Sequence, residues 1–181
     1  MSNSSIILSL FLSLIFFSCK NENQILQPLP DVVKKDPREL FNVELDLIAT
    51  KNDSLQLYYK NSSMKDFEEN KSVWAAITGS ETMQKIQFLL PENEVPDELR
   101  LDFGTNKKQE FIAVKKFQMK YFDKTFAVND TLFYQYFQPN EQINWDRKNA
   151  VARFKNKDGR FYDPLFFPRE TLKSEIKKIL R

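Results

Sequence analysis

Apolar and polar residues alternate one by one through the first part of the chain that shows any period. Phe41, Val43, Leu45 and Leu47 share one phase, with Asn42, Glu44 and Asp46 on the other. After a turn at Asn52-Asp53, Leu55, Leu57 and Tyr59 alternate with Gln56, Tyr58 and Lys60. A period of two predicts strands with one buried face. The pattern continues through Val73, Ala75 and Ile77, then Ile86, Phe88 and Leu90, then Leu99, Leu101 and Phe103, broken at Gly79-Ser80, Pro91 and Gly104. Phe111, Ala113, Phe117, Met119 and Tyr121 predict a longer strand that turns at Asp123-Lys124 into Phe126 and Val128. Residues 132–137 read as a further strand, ended by Pro139-Asn140. Residues 151–155 and 160–162 read as a last hairpin joined by residues 156–159, whose Asp158-Gly159 suits a tight turn because glycine tolerates positive φ.

About ten short strands with turns near every ten residues predict an all-β fold, an antiparallel β-sandwich of jelly-roll-like type. The polar phase of each strand excludes a parallel sheet buried on both faces. The period changes at the C-terminus. Leu172, Ile176 and Ile179 recur at helical spacing, Pro168 and Glu170 stand at the start, and Lys177, Lys178 and Arg181 at the end. Proline and acid first and bases last suit the orphan groups and dipole of a helix, and a single apolar stripe packs it on the edge of the sandwich.

The N-terminus has a different pattern. Residues 1–5 are polar, residues 6–17 (IILSLFLSLIFF) almost wholly apolar, and Ser18-Cys19 leads into the polar run Lys20-Asn-Glu-Asn-Gln24. A bilayer span needs about 20 apolar residues, so this stretch predicts the core of a signal peptide. The chain's only cysteine sits directly after it. That order is the one a lipoprotein signal requires: residues 1–18 are removed, and Cys19 carries the lipid as the first mature residue. Acylation at more than one position gives stable anchoring to a membrane. Phe16-Phe17-Ser18-Cys19 resembles the relaxed lipobox of Bacteroidota-type lipoproteins, with Phe at the third position before the cysteine and no basic residue ahead of the apolar core. The resemblance implies an outer-membrane or cell-envelope location. Residues 19–38, with Pro28, Pro30 and Pro37 and no period, read as a tether spanning on the order of 25 Å, and residues 39–181 as the domain.

Composition then removes several chemistries. The chain has no histidine, which excludes Ser-His-Asp and Cys-His catalysis and the commonest zinc ligand. One cysteine excludes disulfides and thiolate clusters. A net charge of +2, from 27 basic and 25 acidic residues, supplies no field for nucleic acid. Carboxylate catalysis remains open in principle, but of Asp102, Asp123, Asp130, Asp146 and Asp163 most sit at turns or on outward strand faces, where acids ordinarily serve solubility. The 156–159 turn with Asp163 lacks the ligands of a calcium loop. No catalytic residue, metal site or cofactor is expected.

The aromatic residues, 17 Phe, 6 Tyr and 2 Trp, are the informative chemistry. Alternation sends Trp74 outward with Ser72 and Thr78, and Tyr58 outward with Gln56 and Lys60. Outward rings beside amides and charges suit sugars, whose apolar faces stack on the ring while their hydroxyls bond to polar neighbours. Tyr134, Tyr136 and Trp145 are further candidates. Lys71-Ser-Val73, Ile86-Gln-Phe-Leu-Leu-Pro91 and Leu99-Arg-Leu-Asp-Phe-Gly104 resemble a β-sandwich accessory domain of membrane enzymes of bacterial surface-polysaccharide synthesis, and carbohydrate-binding-like sandwiches generally. That resemblance implies a link to cell-surface glycans and no catalytic residue. The expectation is a non-catalytic, lipid-anchored envelope protein that binds a glycan. The alternative is a structural or assembly subunit docking on a membrane-protein complex.

Overall fold

Two antiparallel sheets pack face to face in the computed structural model, which describes residue 36 and residues 39–155 and 161–181. The strands are Asn42–Ala49 (β1), Asp53–Lys60 (β2), Ser72–Ile77 (β3), Ser80–Leu89 (β4), Glu98–Asp102 (β5), Phe111–Tyr121 (β6), Lys124–Asn129 (β7), Phe137–Pro139 (β8), Ile143–Asp146 (β9), Val151–Phe154 (β10) and Leu165–Pro168 (β11). One helix, Glu170–Ile179 (α1), closes the chain. The fold is the β-sandwich with a C-terminal helix that the periods predict. The signal peptide, Cys19, the tether apart from residue 36, and the turn at 156–159 lie outside the described residues.

One sheet has the order β4-β1-β6-β10-β9, with β7 also paired to β6, and the other the order β3-β2-β5-β11-β8. The chain passes between the sheets at β1–β2, β3–β4, β5–β6, β8–β9 and β10–β11, where the pairing order is the same on both sides, and again at β4–β5 and β7–β8. The sandwich is therefore one wide sheet of antiparallel arms folded along a seam. Register places the strand ends at these crossovers side by side: Ala49 pairs with Ser80 and Ile112, and Asp53 with Ile77.

Amide and carboxylate side chains stitch the seam. Oε1 of Gln109, a residue buried completely, accepts from the Thr50 and Lys51 N–H groups at 2.9 Å each, and its Nε2 donates to the Lys51 carbonyl at 2.9 Å. Asp53 Oδ1 accepts from the Thr105 and Asn106 N–H groups at 2.9 and 3.1 Å. Asn140 Nδ2 donates to the Asp163 carbonyl at 2.7 Å, and Gln142 Oε1 accepts from the Asp163 N–H at 2.8 Å. These bonds satisfy backbone groups that leave the ladders where the chain turns. Gly79 is needed there because a Cβ would come within 2.7 Å of the Lys51 Cα.

The core is the inward phase of both sheets. Val43, Leu45 and Leu47 from β1 meet Leu55 and Leu57 from β2, with Phe88, Leu99, Leu101 and Phe117, all fully buried. Leu172, Ile176 and Ile179 of α1 are buried too, and the helix touches strands of both sheets, β6 and β7 on one and β5 and β11 on the other.

Three predicted details are corrected. Simple alternation from Phe111 would bury Phe111 and Ala113 together with Phe117, but the β1–β6 register slips between Asp46 and Leu47, so that Lys115 is passed over. This bulge reverses the phase. Ile112 and Val114 join Phe117 and Met119 at zero exposure, while Phe111 is only half-buried. Residues 132–137 are not a strand: Asp130–Gln135 forms a 3-10 helix, and β8 begins at Phe137. Winding brings Phe133 and Phe137 into a stack with centroids 4.7 Å apart, both buried. Finally, β10 pairs with β9 and β6 rather than with residues 161–162, which form no strand.

Candidate functional site

The outer face of the five-stranded sheet carries the two residues singled out by strand phase. Trp74 on β3 pairs with Gln56 on β2, and Gln56 pairs on its other side with Asp102 on β5. Tyr58 lies between Ser72 and Arg100 in the next row. Cross-strand partners present their side chains to the same face, so Trp74, Gln56, Asp102, Ser72, Tyr58 and Arg100 share one surface. Leu165 pairs with Asp102, which puts Phe167, two residues on, on that face as well.

Trp74, on an edge strand, is 51% exposed. Tyr58 takes the outward phase but is not open to solvent; it is 7% exposed. The loop after β2 folds back over it. The Tyr58 hydroxyl donates to Glu69, Phe67 packs edge-on against the ring, and the Arg100 guanidinium covers its face at 4.0 Å from the centroid. The expectation of an exposed Tyr58 platform is thus corrected: a polar strand phase says which way a side chain points, and a loop can still cover it.

The result is a fixed polar floor beside an open indole. Gln56 Nε2 donates to Glu69 Oε1 at 2.7 Å and to Ser72 Oγ at 2.8 Å. Arg100 grips Asp102 with two bonds, Nε to Oδ1 at 2.8 Å and Nη2 to Oδ2 at 2.7 Å. Burial pushes the Asp102 carboxyl up to about 6 in spite of Arg100, with Asp163 and Glu69 adding to the rise. Burial, then the Glu69 carboxylate, pushes the Tyr58 phenol up to about 12. Arg100 also feels Asp163, so the fold brings two of the acids that the sequence scatters, Asp102 and Asp163, around one guanidinium. Chemically, this face offers amide, carboxylate and hydroxyl groups held in place, next to a ring free to stack.

The chain matches no family model, no curated protein and no solved structure.

The remaining candidate rings are not brought to Trp74. Tyr134 and Tyr136 precede β8, at the opposite edge of this sheet from β3. Tyr134 packs against two guanidinium groups, Arg147 at 3.8 Å and Arg169 at 4.6 Å. Tyr136 packs edge-on against Phe126 at 5.0 Å. Trp145, on β9 of the other sheet, lies 5.5 Å from both Phe133 and Phe166 and serves the core. Its Nε1 is buried without a partner among the described residues.

Phe167, 45% exposed on the Trp74 face, has no place in the periodic reading because both phases of the run Leu165-Phe-Phe-Pro168 are apolar. Glu69 and Phe67 escape it too, since a loop folding over a sheet has no period. Among the described residues, no group of three or more Asp, Glu, Cys or His is placed to hold a metal ion.

Proposed function

We propose that this protein is a non-catalytic, lipid-anchored envelope lipoprotein that binds a cell-surface glycan on the outer face of its five-stranded sheet. Trp74 is the stacking ring, and Cys19 is the lipid attachment site. The observation that carries the reading is the half-exposed indole of Trp74 standing in register with the ordered polar row of Gln56 and Asp102. An apolar ring face stacks on indole, and fixed amide and carboxylate groups orient hydroxyls. A surface meant for burial against another protein would be expected to carry a broad apolar patch; here Trp74 is flanked by glutamine, serine and an ion pair. Tyr58 belongs to the support of this face rather than to its contact surface.

Retention on purified envelope polysaccharide, measured alongside thermal melting, tests the reading. Trp74→Ala should lose retention with an unchanged melting temperature. A stable wild-type protein that retains no polysaccharide would instead favour the docking-subunit alternative.

A further inference from the structure

The outer face of the six-stranded sheet holds an unusual inlay. Asn42 and Glu44 lie on the polar phase of β1, where solvent exposure is expected, yet they are only 8% and 7% exposed. β1 is a central strand, and its neighbours flank them in register: Leu89 and Lys120 beside Asn42, Gln87 and Gln118 beside Glu44. Asn42, Glu44, Gln87, Leu89, Lys120 and Phe122 line a groove of about 440 Å³. That is within the range of small-ligand sites, about 300–1,000 Å³.

Two features mark the groove, an unpaired acceptor and an exposed ring at positive φ that packs edge-on against Tyr121. The first is an orphan acceptor. Asn42 Nδ2 donates to Glu44 Oε1 at 3.1 Å, which fixes the orientation of the amide, and the buried Oδ1 has no partner among the described residues. A buried polar atom left unpaired is costly and asks for a reason. The second is Phe122, the first residue of the two-residue turn between β6 and β7. It is 52% exposed and holds a positive φ of 52°. Glycine or asparagine would sit there without strain, and a bulky ring does not. The strained ring stands at the mouth of the groove that contains the orphan oxygen.

The charges narrow the ligand. Glu44 already binds two ammonium groups, Lys120 at 2.9 Å and Lys85 at 3.2 Å. With both amines engaged, the described residues of the groove give an anion no free cation, and the lysines repel a cationic ligand. What remains is a neutral hydrogen-bond donor for Asn42 Oδ1 and an apolar face for Phe122. We infer that the groove is a second carbohydrate subsite, taking one hexopyranose whose ring face lies on Phe122 and whose hydroxyl donates to Oδ1 of Asn42. Leu89, beside Asn42 and itself exposed, swings aside to admit it, while Lys120 stays on Glu44. The inference rests on the glycan reading for its ligand class and places a contact on the opposite sheet from Trp74.

The test is saturation-transfer NMR on the full chain with methyl glycosides of glucose, galactose, mannose and N-acetylglucosamine. The variants are Phe122→Gly, Asn42→Leu and Trp74→Ala. Phe122→Gly is informative because glycine relaxes the positive φ, so it should raise the melting temperature and, combined with Trp74→Ala, abolish ring-proton saturation. Asn42→Leu, likewise combined with Trp74→Ala, should weaken saturation at least tenfold, whereas Trp74→Ala alone should keep the part of the signal that comes from the groove. Saturation that survives both groove substitutions and disappears in Trp74→Ala overturns the second subsite and leaves the glycan reading standing. Absence of saturation with every glycoside in the wild-type protein also overturns it; polysaccharide retention, measured separately, then decides the fate of the first reading.

Discussion

The Arg100 guanidinium lies over the Tyr58 ring, 4.0 Å from its centre, while two of its nitrogens hold Asp102. Arginine thus joins a stacking contact to a forked ion pair, which lysine cannot do. Tyr58 and Trp74 consequently differ in what they contribute, although strand phase treats them alike. Tyr58→Ala should destabilise the domain by about 3 kcal/mol, the lower end for truncating a buried aromatic residue. Trp74→Ala should stay within about 0.5 kcal/mol of wild type, as exposed positions do. Urea unfolding of the two variants side by side checks this; equal losses would show that Trp74 is structural.

Asp102 predicts a pH dependence. Its folded pKa, about 6, lies above the ordinary 3.8 because burial disfavours the charged form. Between those values the folded Asp102 binds more protons than the unfolded one, so its own contribution lowers stability as pH rises from about 4 to about 6, against the opposite contributions of Glu44 and Glu69, whose carboxyls are held below the ordinary value. Asp102→Asn should remove that contribution, so that the melting temperature at pH 6.5 relative to that at pH 4 is higher in the variant than in wild type. An unchanged slope would place the titration elsewhere.

Gly104 holds a positive φ of 83°, and a Cβ there would sit 2.2 Å from Asp53 Oδ2. Both the backbone and the space therefore demand glycine. Gly104→Ala should cost more than 1 kcal/mol in chemical denaturation, because alanine is strained at positive φ and because it displaces the carboxylate that binds the Thr105 and Asn106 N–H groups. A neutral effect would mean that the seam yields easily.

Cys19→Ala should block incorporation of labelled lipid and leave an unprocessed precursor in cells. Normal labelling and maturation of this variant would remove the lipoprotein reading.

Most of the sandwich was legible because burial on one face imposes a period of two, and Phe41 to Phe103 obey it closely. It failed where a local device changes the phase without a compositional mark. The Lys115 bulge is one case, since two adjacent lysines look like any solvated pair. The 3-10 helix is another: both phases of 132–137 are apolar, and only the stacking of Phe133 on Phe137 selects winding over extension. For the site, Trp74 was legible from phase alone. The cover over Tyr58 was not, because it depends on Glu69 and Phe67 arriving from a loop. The burial of Asn42 and Glu44 was hidden for a further reason: they become inlaid only once β1 is central in its sheet, and strand order is not written in the alternation of one strand.

The seam carries a kinetic consequence. Gln109 meets Thr50 across 59 positions of chain, and the Phe103 N–H donates to the Pro164 carbonyl from an equally remote segment. Contacts of this kind form only after large loops have closed, an entropic cost that precedes any reward. Chains dominated by such pairings fold in about milliseconds to seconds, whereas helical bundles do so in about microseconds to milliseconds. During that interval the arms have exposed, unpaired edges, which are prone to join those of another chain. The fold therefore makes early life hazardous for this protein in proportion to its local concentration, and refolding yield should decline with concentration well before the folding rate does.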